Sequence, residues 1–142
     1  MKRFFLAGLI ITCVLSCKKK NELACDITMA DIAGNYKLTK LESVAYDTGI
    51  AQDITSTLTA CELSGVYDLN TDSTASYIEP NGCNGNTNGT WQSSETWLYL
   101  TFNSGNNRIN ATFIESWDCR DLVLITRYPS VNYNYRFTLS KL

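Results

Sequence analysis

Val131-Asn132-Tyr133-Asn134-Tyr135-Arg136-Phe137-Thr138-Leu139 sets Val131, Tyr133, Tyr135, Phe137 and Leu139 on one side and Asn132, Asn134, Arg136 and Thr138 on the other. A period of two marks an extended strand with one face against a core and the other in water. A fold that ends on such a strand needs neighbours of the same kind, and the rest of the chain supplies them.

Immediately upstream, Leu122 to Arg127 is nearly continuous apolar and Tyr128-Pro129-Ser130 is a turn. Arg108 to Trp117 places Ile109, Ala111 and Phe113 on one face. Thr96 to Phe102 and Gly89 to Gln92 read as two more strands, separated by Ser93-Ser94-Glu95, and Asn103 to Asn107 is another turn. Further back, Leu63 to Leu69 and Thr74 to Ile78 flank the turn-like Asn70-Thr71-Asp72-Ser73. A hairpin centred on Asp72 sets Tyr67 opposite Tyr77, Val66 opposite Ile78 and Cys61 opposite Cys83. The first strand runs from about Asn35 to Tyr46 and changes phase between Leu38 and Leu41, which predicts a bulge near Lys40. Before it, Thr28 to Ala33 forms one helical turn capped by Thr28, with Asp31 three residues on. Asp47 to Thr59 is a polar loop with a short strand around Ile50 to Ile54.

About eight strands with short turns and no long helix predict an all-β antiparallel meander. With no helix to cover the apolar face, curling the sheet into a small barrel buries that face and joins its two edges. A two-sheet β-sandwich is the structural alternative. If the strand parity holds, Tyr67, Tyr77, Trp97, Tyr99, Phe113, Tyr133, Tyr135 and Phe137 line the barrel. They serve there either as core or as the wall of a site for a small apolar ligand.

The cysteines suit an oxidising compartment. Apart from Cys13 and Cys17, four remain: Cys25, Cys61, Cys83 and Cys119. Facing residues of an antiparallel ladder sit within disulfide reach, so the hairpin register predicts Cys61–Cys83 and leaves Cys25 with Cys119. The absence of a C-x-x-C pair argues against zinc, and no metal or cofactor is expected. Asp68, Asn70, Asp72 and Glu79 have calcium-loop spacing, but Ser73 stands where that loop needs glycine and both flanks alternate as strands.

Enzymatic chemistry has little footing. The chain contains no histidine, removing the commonest general base, and oxidised cysteines offer no thiolate nucleophile. No phosphate loop or nucleotide fingerprint appears. From Cys17 onward ten basic side chains face fourteen acidic ones, an acidic balance that disfavours nucleic acid as a partner.

Lys2 and Arg3, an apolar run from Phe4 to Val14 and then Leu15-Ser16-Cys17 have the layout of an export segment. The run is well short of the roughly 20 residues of a membrane-spanning helix. It resembles the lipobox of bacterial lipoproteins. That resemblance implies removal of the signal peptide 1–16, acylation of Cys17 as the new N-terminus and membrane attachment by more than one acyl chain. Cys13 is a poorer acylation site because Thr12 precedes it. Residues 17–30 then form a lipidated tether and N-terminal arm, and 31–142 the barrel.

Gly34-Asn35-Tyr36 with Lys37-Leu38 at the head of the first strand, the Cys61 to Cys83 hairpin with its Asn70 to Thr74 tip, and the Tyr-rich last strand together resemble the lipocalin-like domains of many Bacteroidetes-type lipoproteins. Lipocalins open with Gly-x-Trp, whose Trp plugs the barrel base beneath an Arg from late in the chain. Here Tyr36 stands in for that Trp and Arg136 is the candidate cation over it. The resemblance implies a small lipocalin-like barrel that binds a small, apolar molecule, with no established chemistry. The alternative is a structural or protein-interaction envelope lipoprotein whose barrel is filled and whose working patch lies on loops such as Asp47 to Thr59 or Pro80 to Asn88. Lys18 to Lys20 depart from the acidic start of surface-exported lipoproteins and favour the periplasmic side of the outer membrane.

Overall fold

The computed structural model describes residues 25–83, 85–103, 109, 112–127 and 132–142. The predicted signal peptide, Cys17, the tether through residue 24, most of the 103–107 turn, the 128–130 turn and Val131 lie outside the described residues. A short helix α1 (Met29–Ile32) leads into β1 (Gly34–Ala45) and β2 (Ala51–Asp53). Helix α2 (Ala60–Ser64) follows, then β3 (Val66–Leu69), β4 (Thr74–Ile78), β5 (Thr87–Ser93), β6 (Trp97–Phe102), β7 (Thr112–Trp117), β8 (Asp121–Ile125) and β9 (Tyr133–Lys141).

All the pairings are antiparallel, and β9 returns to pair with β1, closing an eight-stranded barrel of β1 and β3 to β9. The two-sheet sandwich is thereby excluded, because closure leaves no second sheet to pack. β2 is the extra strand. It takes the edge of β1 at Glu42 to Val44, beyond the stretch Gly34 to Lys37 that pairs with β3.

Two bulges keep the core faces in phase. Between Leu38 and Lys40 the β1–β9 register shifts, so Tyr36, Leu38 and Leu41 all point inward despite their uneven spacing. A second shift between Ile114 and Ser116 in β7 does the same for Ile114 and Trp117. The β3–β4 hairpin has the register centred on Asp72, with Tyr67 opposite Tyr77 and Val66 opposite Ile78. Its tip is fixed by Asp72, whose Oδ1 accepts from the Thr74 amide at 2.9 Å and the Thr74 hydroxyl at 2.6 Å. Ser73 takes the left-handed conformation between them. The calcium-loop spacing is therefore a hairpin tip.

One strand is shorter than its sequence pattern suggested. Cys61 to Ser64 belong to α2, because Thr59 accepts from the Glu62 amide at 3.2 Å while the Glu62 carboxylate accepts from the Thr59 amide at 2.8 Å. This reciprocal capping box starts a helix where alternation alone reads a strand. Cys61 and Cys83 are still joined, with Cα atoms 5.9 Å apart, but through α2 and the turn after β4 instead of through the ladder. Cys25 and Cys119 form the other disulfide, with Cα atoms 5.5 Å apart. In β8, whose sequence is nearly continuous apolar, Leu122 and Leu124 are fully buried while Asp121, Val123 and Ile125 face outward.

Candidate functional site

The base of the barrel is closed by Tyr36, whose hydroxyl donates to the Ile32 carbonyl of α1. Tyr36 is fully buried, and that burial pushes its phenol well above the usual tyrosine range. Above it sits Lys141, with Nζ 5.8 Å from the Tyr36 ring and 5.6 Å from the Trp117 ring, donating to the Asp31 carbonyl at 3.0 Å. The late-chain cation over the plug is thus Lys141, not Arg136. Arg136 has the opposite parity on β9 and points outward. Its Nε meets Glu115 at 2.5 Å and its Nη1 meets Glu42 at 3.7 Å, and the hydrogen bond it donates to Glu115 raises its already high pKa further.

Above the plug the inward positions form one continuous cluster. Leu38, Leu41, Tyr67, Leu69, Ala75, Tyr77, Trp91, Leu98, Leu100, Leu122, Leu124, Phe137 and Leu139 are all buried in it, together with Ile109 and Leu58 from the connecting segments. Trp91 is the largest; its indole N–H donates to the Asn70 carbonyl at 2.7 Å, holding the ring under the β3–β4 tip. An eight-stranded barrel is just wide enough for side chains to fill it, and these residues are of the size to do so.

Of the expected lining residues, Tyr67, Tyr77 and Phe137 are buried inside, and Tyr67 and Tyr77 pack with ring centroids 4.6 Å apart. Tyr135 is half-buried against the same core, and Tyr133, 42% exposed, sits at the far end. Trp97, Tyr99 and Phe113 are on the outside of the wall. Leu98 and Leu100 occupy the inward positions of β6, Leu100 opposite Trp91, so the alternate positions Trp97 and Tyr99 must face outward. On β7, inward Thr112 pairs with Leu98 and outward Phe113 with Trp97. The three rings nevertheless stay together: Trp97 stacks on Tyr99 with centroids 5.6 Å apart and planes 14° from parallel, and lies 3.5 Å from Phe113. The Arg127 guanidinium covers Phe113 at 4.3 Å, and Ile125 is the ladder neighbour of Phe113.

Hydroxyls interrupt the inward face at both ends. Ser93, where β5 turns into β6 at the plug end, and Thr112 both pair with Leu98, while at the opposite end Ser43 pairs with Tyr135 and the Thr126 hydroxyl accepts from the Tyr135 amide at 2.9 Å. Ser93 Oγ is buried with no hydrogen-bond partner. At the end away from the plug the β1–β2 turn and the start of β9 form an exposed apolar tip of Tyr46, Ile50 and Tyr133. It is knitted by the Ala45 amide on the Ile50 carbonyl at 2.9 Å and the Tyr46 amide on the Asn132 carbonyl at 3.0 Å.

The one trio of metal-type donors among the described residues, Cys61, Glu79 and Cys83, contains two sulfurs already bonded to each other, which cannot act as thiolate ligands. Asp118 and Asp121, the acids beside Cys119, form a local turn. The Asp118 carboxylate accepts from the amides of Arg120 and Asp121, and those bonds hold it below the usual carboxylate range. Sequence reasoning missed Lys141, although extending the parity of Phe137 and Leu139 by one step reaches it. It also missed the outward trio, because β6 carries large apolar side chains on both faces. No protein-family model, curated protein or solved structure matches this chain.

Proposed function

We propose that this protein is a lipid-anchored envelope component whose barrel is a filled scaffold and whose interactions are made by its outer surface. One observation carries the reading: the inward positions are occupied by a single buried cluster around Trp91, while three of the large aromatics available to grip a ligand face outward. The anchor rests on the lipobox-like Leu15-Ser16-Cys17. The Cys25–Cys119 disulfide then ties the lipidated arm to the base of the barrel. Tyr46, Ile50 and Tyr133 lie at the opposite end of β1 and β9 and present an apolar tip to an envelope protein partner.

A photocrosslinking side chain placed at Ile50 in intact cells tests this. A discrete adduct with one envelope protein is expected from position 50 and not from Ser76, on the outer face of β4. Equal or absent crosslinking from both positions refutes the reading.

A carrier function is the second reading, favoured by the unpartnered Ser93 hydroxyl on the inward face, with Thr112 on the other side of its ladder partner Leu98. A small molecule with a polar end would satisfy that oxygen. Native mass spectrometry of the gently purified protein decides it: a retained small molecule supports the carrier, and bare protein from several preparations rejects it.

A further inference from the structure

The outer face of β6, β7 and β8 differs from the rest of the barrel wall. Elsewhere the outward positions are mostly polar: Lys37 and Glu42 on β1, Asp68 on β3, Ser76 on β4, Asn88, Thr90 and Gln92 on β5, and Arg136, Thr138 and Ser140 on β9, with the aliphatic pair Val66 and Ile78 on β3 and β4 carrying no aromatic ring. On β6 to β8 they include Trp97, Tyr99, Phe113, Val123 and Ile125, which lie together with Arg127 over the Phe113 ring, while Thr101, Glu115 and Asp121 lie at the margins. Tyr99 is 47% exposed, so the patch is open to its surroundings. Rings with an apolar body and a polar tip, edged by a cation, match the boundary between lipid headgroups and acyl chains.

The position of the patch relative to the anchor points the same way. The described chain begins at Cys25, which is bonded to Cys119 in the turn between β7 and β8, the strands that carry Phe113 and Ile125. Seven residues separate Cys17 from Cys25, and those eight Cα–Cα steps reach at most about 28 Å fully extended. Phe113 lies six positions along β7 from Cys119, roughly 20 Å at strand rise. A lipid at Cys17 therefore keeps this wall, among all the walls of the barrel, tied by its own turn close to the bilayer.

We propose that the β6–β7–β8 wall rests on the membrane surface, with Trp97, Tyr99 and Phe113 in the headgroup region and Arg127 against lipid phosphate. This rests on the lipid-anchor reading given above. It leaves the β1–β2 tip, which lies across the barrel from β6 in the strand order, facing away from the bilayer.

The mature chain, as isolated from cells and reconstituted into phosphatidylethanolamine and phosphatidylglycerol vesicles with brominated acyl chains, provides the test. Its intact mass reports the acyl groups on Cys17. Bromine quenches a tryptophan only at close range; Trp91 is buried in the barrel and Trp117 is half-buried against the core. Quenching is expected in the wild type, to disappear with Trp97→Phe and to fall at least twofold with Arg127→Glu, which retains every tryptophan. An acylated, vesicle-bound chain whose tryptophans are unquenched overturns the resting wall while leaving the anchor standing. So does capture of the patch by a protein partner in cells without quenching. A mature chain lacking acyl groups on Cys17 removes the anchor, and the proposal with it.

Discussion

Lys141, on the last strand, lies across Tyr36, on the first, with its ammonium 5.8 Å from the ring centroid and hydrogen-bonded to the Asp31 carbonyl of α1. The two ends of the barrel domain thus meet at its base, where β1 and β9 close the sheet with Tyr36 opposite Lys141 in the ladder. Gly34 belongs to the same arrangement. Its φ of +146° disfavours any other residue, and a Cβ added there would come within 2.5 Å of Lys141 Cε and push that side chain off Tyr36.

Replacing Lys141 by Met keeps the apolar stem and removes the charge. A loss of about 1–2 kcal/mol is expected from the cation–π contacts and the charged hydrogen bond. Urea midpoints of the two proteins measure it, and an unchanged midpoint would reduce Lys141 to packing.

The inside and outside of β5 and β6 are distinguished by their two tryptophans. Trp91→Ala empties a site in the core and is expected to cost about 3–5 kcal/mol. Trp97→Ala, on the outer wall, is expected to cost under about 1.5 kcal/mol. Equal losses in equilibrium denaturation would contradict the parity of β6.

Gly89 faces inward between Ala75 and Phe102, and a Cβ there would meet the Thr101 carbonyl oxygen at 2.0 Å. Gly89→Ala must push β5 and β6 apart and is expected to destabilise by about 2–3 kcal/mol. Thermal unfolding by circular dichroism reads the shift. The same substitution at Gly49, where nothing lies within 4 Å, meets only the cost of its left-handed backbone.

The disulfides differ in the loops they close, 94 residues for Cys25–Cys119 and 22 for Cys61–Cys83. On chain entropy the first contributes about 4.7 kcal/mol and the second about 3.4 kcal/mol. Paired serine variants, each compared with wild type in guanidinium, are expected to preserve that order.

Alkali is expected to unfold the barrel through its buried phenols. Burial raises the pKa of both Tyr36 and Tyr77, and for Tyr77 the neighbouring Tyr67 and Glu79 add to it. A folded-state pKa above the unfolded value near 10 means the folded form favours the neutral phenol. That contribution is complete below about pH 10 and is lost as the pH rises beyond it. Absorbance at 295 nm should show a late tyrosinate step coincident with loss of near-ultraviolet circular dichroism. Tyr36→Phe should lower the amplitude of that step.

Much of this architecture was legible in one dimension. Alternation in Tyr133 to Leu139, the turn at Asp72 and the broken phase at Lys40 specify strands, a hairpin register and a bulge, because each depends on neighbours close in sequence or on a two-residue period; the hairpin register also brought Cys61 near Cys83 and left Cys25 for Cys119. The Thr59 and Glu62 capping box was equally local and was outweighed by the apparent alternation of the strand that follows it.

Which side of a two-faced strand becomes the interior is a different kind of question. In Trp97-Leu98-Tyr99-Leu100 either face is apolar enough to be buried. The choice falls to the volume left inside once Trp91 and the Tyr67–Tyr77 pair have taken their places from other strands. The sequence by itself determined most of the strands and their pairing. Only the closed barrel decided that leucines line β6, that Lys141 covers Tyr36, and that the remaining aromatics form an outer wall, because interior volume is shared by residues far apart in the chain.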